Sequence, residues 1–99
     1  MIRHIVLFQF RVELSETVKR EARERFRKKI LALPEKLSLI KEIEVGFNCN
    51  PDEKWDICLN GLFETMNDVK SYAIFPEHVA AGTELKQFLS GRSCVDYEV

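Results

Sequence analysis

The sequence predicts an α+β fold, a ferredoxin-like split βαβ arrangement in which helices cover one face of a four-stranded antiparallel sheet. Three observations predict it. Stretches of period two and stretches of period near 3.6 follow one another in the order β-α-β-β-α-β. The strand candidates bring apolar residues to both of their faces. A proline, Pro76, interrupts the second helical stretch between a tyrosine and a histidine.

The first strand runs from Met1 to Val12, with Ile2, His4, Val6, Phe8 and Phe10 on one face and Arg3, Ile5, Leu7 and Gln9 on the other. Two faces that both need cover mark a central strand. Ser15 then offers an N-cap, and Val18, Ala22, Phe26, Ile30 and Leu33 form one apolar helical stripe that Pro34 stops. A second strand over 40–48 opposes Ile43, Val45 and Phe47 to Glu42, Glu44 and Gly46, and Asn50-Pro51-Asp52 supplies turn chemistry. A third strand over 55–64 sets Trp55, Ile57, Leu59, Gly61 and Phe63 on one side. Asn67 or Asp68 is expected to cap the next helix, which carries Val69 and Tyr72 and breaks near Ile74 because Pro76 follows. Pro76 opens a further helix through Val79, Leu85, Phe88 and Leu89, with Gly91 expected as its C-terminal glycine. The last strand, over 93–99, sets Val95, Tyr97 and Val99 against Cys94, Asp96 and Glu98.

Ninety-nine residues leave room for one core, so residues 1–99 are expected to form a single domain. A net charge of −1 argues against a nucleic-acid partner. No apolar run approaches a membrane span, and Ile5 to Phe8 is too short for an export signal. Three cysteines without C-x-x-C spacing read as reduced thiols of a cytoplasmic protein. Only two histidines exist and no cysteine pair has ligand spacing, so neither a metal nor another cofactor is expected. The first helix carries seven basic residues against three acids between Ser15 and Pro34. It reads either as a phosphate or acidic-partner site or as a solvated face laced with i,i+4 pairs such as Glu21–Arg25.

Helices on one side of the sheet leave Ile5, Leu7 and Leu62 uncovered on the other. An apolar patch of that kind marks an interface, and two sheets packed face to face as a homodimer would cover it.

The stretch from Tyr72 to Gly82 is the candidate functional element. The break at Pro76 lets Tyr72 and His78 belong to different helical segments and face a common space. A phenol and an imidazole in one cleft can move protons at neutral pH.

The chain resembles the stress-responsive dimeric α/β barrel domain family. The residues that carry the likeness are His4 to Phe10, Ile43 to Asn48, Phe63-Glu64-Thr65, Tyr72 with Phe75-Pro76-Glu77-His78, and Val95-Asp96-Tyr97. The resemblance implies a dimeric α/β barrel. In a cyclase-type member the positions matching His78 and Tyr72 are catalytic, and those matching His4 and Asp96 face the pocket. This chain departs from the family in carrying Phe75 before the proline and Phe26 where the cyclase has a pocket tyrosine.

These readings assign His78 as general base, Tyr72 as hydrogen-bond donor to an enol or carbonyl oxygen, and Asp96 as the carboxylate holding the His78 tautomer. A cavity between helices and sheet is expected, with His4, Val6, Phe8, Phe26, Ile57 and Leu59 binding a small organic ligand. The competing expectation is that His78 braces its helix while Tyr72 and Asp96 bond to each other inside a closed core. Three classes stay open: a cofactor-independent cyclase, isomerase or lyase; a non-catalytic ligand-binding or stress-related protein; and a purely structural dimer. Nucleotide loops and serine nucleophile motifs are absent from the sequence.

Overall fold

Two strands that bury one whole face each, β1 (Ile2–Phe10) and β3 (Ile57–Phe63), form the centre of the sheet in the computed structural model, which describes residues 1–99. The edge strands are β2 (Glu42–Phe47) and β4 (Leu89–Glu98), giving the order β2-β3-β1-β4 with every pair antiparallel. The helices are α1 (Glu16–Leu31), α2 (Met66–Ala73) and α3 (Pro76–Lys86). This is a ferredoxin-like α+β fold with its helices on one face of the sheet.

Alternation fixes which residues meet the helices. Ile2, Val6, Phe8 and Phe10 of β1 and Ile57, Leu59 and Phe63 of β3 are buried beneath them, where they join Phe26 and Ile30 of α1 and Tyr72 of α2. Each such side chain removed from water contributes about 1.5–3 kcal/mol. The opposite face is not covered within one chain. Ile5, Leu7 and Leu62 are half-buried there, while Val95 and Tyr97 are exposed.

Several boundaries differ from the expectation. β1 and β3 stop at Phe10 and Ile57 because Asp56 intervenes: its carboxylate accepts the Phe10 N–H at 2.8 Å. Pro34 lies inside a short 3₁₀ turn, Leu33–Glu35, rather than beyond a clean stop. The cap of α2 is Thr65, not Asn67 or Asp68; its hydroxyl accepts the Asp68 N–H at 3.1 Å because the chain is still extended at Thr65 after β3. Gly91 does not terminate a helix. α3 ends at Lys86, the turn is held by the Arg11 N–H donating to the Phe88 carbonyl at 3.0 Å, and Leu89 already pairs with Phe10. Between Gln9 and Phe10 the β1–β4 register shifts, so the strand bulges at Ser90. Gly91 lies beside Gln9, where a Cβ would come within 3.4 Å of the Gln9 side chain.

The basic face of α1 is largely occupied. Arg25 donates to Glu84 of α3 at 2.8 Å and Lys29 bonds the same carboxylate, which holds Glu84 below the usual carboxylate range. Arg23 and Arg27 lie over the Phe47 ring. No helix is long and apolar enough to cross a membrane.

Candidate functional site

On an unbroken helix, residues six apart point about 120° away from each other. Tyr72 and His78 escape that separation because the helix is broken between them. Ile74 caps α2, Phe75 is extended at φ −60° and ψ 128°, and Pro76 starts α3. The two rings then lie 4.2 Å apart, centroid to centroid.

Both rings line a cavity of about 490 Å³ between the helices and the sheet. β1 contributes His4, Val6 and Phe8 to its wall, β3 contributes Leu59, and α1 contributes Phe26, whose ring meets Phe8 edge to face at 5.3 Å. Gly82 and Lys86 of α3 and the start of β4, Leu89 to Arg92, close the remainder. These last residues were not expected from the sequence. The misplaced helix end at Gly91 had put Leu89 on a helix and left Ser90 to Arg92 between elements.

The Tyr72 hydroxyl is the least satisfied polar group here. Tyr72 is fully buried, yet its oxygen has no hydrogen-bond partner. Burial pushes its phenol well above the ordinary value, so it stays a proton donor. An orphaned buried hydroxyl costs about 1–3 kcal/mol.

His78 is half-buried, and its Nδ1–H donates to the Ala73 carbonyl at 3.0 Å. A carbonyl can only accept, so this bond leaves the lone pair on Nε2. Burial lowers the His78 proton affinity, the Ala73 bond acts against that, and His4 and Arg92 add to it. The ring is therefore held neutral, in the form a base requires.

Asp96 does not hold His78. Strand register sets it opposite His4, and its Oδ1 accepts from His4 Nδ1 at 2.6 Å. The assignment of Asp96 to the His78 tautomer is thus corrected: the Ala73 carbonyl does that, and Asp96 orients His4, whose ring meets Tyr72 at 5.9 Å. Asp96 stands behind His4 rather than in the cavity wall. The expected Tyr72–Asp96 bond of a closed core is absent as well. Ile57 is also displaced from its expected place. It is buried at 1% exposure in the core beside Phe8 and does not reach the cavity, which takes only Leu59 from β3.

Cys94 was expected only as one of three reduced thiols. Its thiol lies 3.7 Å from Asp96 Oδ2 and 3.8 Å from His4 Nδ1. His4, Cys94 and Asp96 are the one group whose metal-ligating atoms converge, within 4.8 Å. His4 Nδ1 and Asp96 Oδ1 already bond each other, and burial, then the Asp96 charge, keep the thiol protonated by raising its pKa. The three form a hydrogen-bonded cluster behind His4. Beside it, Gly61 faces His4 across the β1–β3 pair, and a Cβ there would come within 2.8 Å of the buried Phe63 ring.

Chains of this shape are known. A dimeric ferredoxin-like protein of unknown function from Bacteroides fragilis is 47% identical, with a TM-score of 0.96 over 99% of this chain and 95% of that one. A dimeric ferredoxin-like protein of unknown function from Thermobifida fusca superposes with a TM-score of 0.83 at 20% identity, over 99% and 90% of the two chains. The hydroxynitrile lyase of Passiflora edulis shares the fold alone: TM-score 0.79 at 16% identity, over 99% and 92%. No curated protein matches the sequence. Residues 2–99 match the stress responsive A/B barrel domain. The chain belongs to the stress responsive A/B barrel domain family.

Proposed function

We propose that this protein binds a small enolisable carbonyl compound in the cavity and transfers a proton next to its carbonyl without metal or organic cofactor. The observation that carries the reading is the Tyr72 hydroxyl, buried and without a partner in a cavity wall it shares with His78. In the proposed step, His78 Nε2 takes the proton from the carbon beside the carbonyl. The C–H electron pair becomes the enolate, and its oxygen accepts the Tyr72 O–H. Protonation at carbon, ring closure or loss of a leaving group then returns the proton. His4, oriented by Asp96, acts as a positioning residue behind Tyr72.

The same proposal includes a homodimer through the open sheet face. Ile5, Leu7, Leu62, Val95 and Tyr97 lie there without cover in one chain, and the similar proteins from Bacteroides fragilis and Thermobifida fusca are described as dimeric. Three unpaired thiols suit a reducing compartment, which we take to be the cytoplasm.

Proton exchange tests the chemistry directly. Phenylpyruvate, its methyl ester and acetylacetone are incubated with the protein in D₂O, and loss of the α-proton signal is followed by NMR. Exchange above background that falls roughly 10²–10⁴-fold in His78→Ala is the expected result. Binding without exchange would make this a ligand-binding protein and discard the catalytic reading. No binding by any probe would discard the carbonyl site altogether.

A further inference from the structure

The charges around the cavity are sorted. Acids outnumber Lys and Arg 16 to 15 over the chain, yet the 14 lining residues include Lys86 and Arg92 and no Asp or Glu. The interior beyond them is apolar wall with Tyr72 and two imidazoles. Nothing inside neutralises the pair.

Neither cation is paired elsewhere. Lys86 and Arg92 have no carboxylate within 4.0 Å, whereas Arg25 and Lys29 are both bonded to Glu84. The helix itself explains this for Lys86. Its neighbours one turn back are Gly82 and Thr83, and Glu84, the one nearby acid on α3, is committed to α1. Arg92 is brought to the same place by the sheet. It stands opposite Phe8 in register, just past the Ser90 bulge, and both residues line the cavity. Its charge is close enough to add to the lowering of His78 proton affinity after burial has set it.

We infer that the cavity's ligand carries a carboxylate, and that Lys86 of α3 and Arg92 of β4 bind it at the mouth while the carbonyl end lies against Tyr72 and His78. This deepens the carbonyl reading above and rests on it. The arrangement separates recognition from chemistry. An anionic group is excluded from the apolar interior by its desolvation cost, so two cations at the rim fix which end of the molecule enters. Phe8 and Phe26 then offer an aromatic wall to the part between carboxylate and carbonyl.

Phenylpyruvate and its methyl ester differ in that one charge and serve as probes. Their dissociation constants are measured by calorimetry at low ionic strength for the wild type and for the double variant Lys86→Gln, Arg92→Gln. Both side chains are exposed, so the fold should tolerate the change; circular dichroism and thermal melting check that it does. The acid is expected to bind the wild type about tenfold more tightly than the ester, two exposed charge contacts each giving a few-fold. That preference should vanish in the double variant, with the ester's affinity unchanged, and should shrink in the wild type as salt is added. Equal binding of acid and ester to the wild type would overturn the assignment and leave the carbonyl site standing. So would a preference for the acid that survives in the double variant. Failure of both probes to bind would overturn the carbonyl site and this assignment together.

Discussion

The Tyr72 and His78 rings sit 4.2 Å apart on two helices, and only the tyrosine lacks a hydrogen-bond partner. Removing the hydroxyl should therefore affect stability and chemistry in opposite directions. Tyr72→Phe is expected to raise the unliganded protein's unfolding free energy by about 1 kcal/mol, because an unsatisfied buried group is deleted. Proton exchange should fall by roughly 10²-fold or more, since the developing enolate loses its donor. A variant that is both less stable and fully active would show that the hydroxyl is paired in the native protein.

Acid should weaken the fold through His78. Burial places the folded imidazole's pKa below its ordinary value of 6.5. Between those two values the unfolded chain holds more protons than the folded one, so stability rises with pH across the window. The contribution is complete above 6.5 and is lost as pH falls through the folded value. Urea midpoints should thus drop between pH about 7 and about 5 more steeply for the wild type than for His78→Gln. Parallel slopes would contradict the burial argument.

Gly82 offers a way to fill the cavity without disturbing the core. A Cβ built there meets nothing within 4 Å, and the residue lies in the interior of α3. Gly82→Ala should stabilise the protein by about 1 kcal/mol through helix propensity, read as a rise of about 5 °C in Tm. Gly82→Phe should keep the fold and abolish binding of the methyl ester. Undiminished ester binding in the phenylalanine variant would move the site elsewhere.

Leu7 tests the open sheet face. Sedimentation of the wild type at micromolar concentration should give about twice the chain mass. Leu7→Asp places an uncompensated charge at the centre of that face and should yield monomer or unfolded chain. A wild-type protein that sediments as a monomer would end the interface proposal.

The thiols should all be countable. Cys49, Cys58 and Cys94 are free, and burial raises the pKa of both Cys58 and Cys94, helped by the charges of Glu44 and Asp96 respectively. Denaturation without reductant should release three reactive thiols. In the native protein the raised pKa of half-buried Cys58 and of exposed Cys94 should slow their alkylation relative to Cys49, and a pair missing from the count would reveal a disulfide.

What could be read from the sequence was whatever depends on local spacing. Alternation assigned His4, Val6 and Phe8 to the helix-covered face, and Pro76 predicted the break between Tyr72 and His78. Partner choice was a different matter. Asp96 bonds His4 because β4 pairs with β1 in one register, and no spacing within β4 contains that register. Gly91 misled for a related reason. A glycine after an amphipathic stretch is the usual mark of a helix end, but here it accommodates the close Gln9 side chain within a sheet. The misplacement concealed Ser90 and Arg92 from the cavity. Ile57 had the right parity for the site and stands level with Phe8, but it lies one strand further across the sheet and is covered there, and alternation cannot report which strands a cavity overlies.

The His4–Asp96 bond joins residues 92 positions apart in the chain. Closing a segment of that length costs roughly 2 kcal/mol more in chain entropy than closing one of about ten residues, as in a hairpin like β2–β3. Folding should therefore begin with the hairpin and the helix that packs on it, and the docking of β4 beside β1 should come late. The cavity has no existence before that step, because β4 supplies one of its walls. A ligand cannot template the early chain. It can only trap the final docked state, slowing unfolding while leaving the folding rate unchanged.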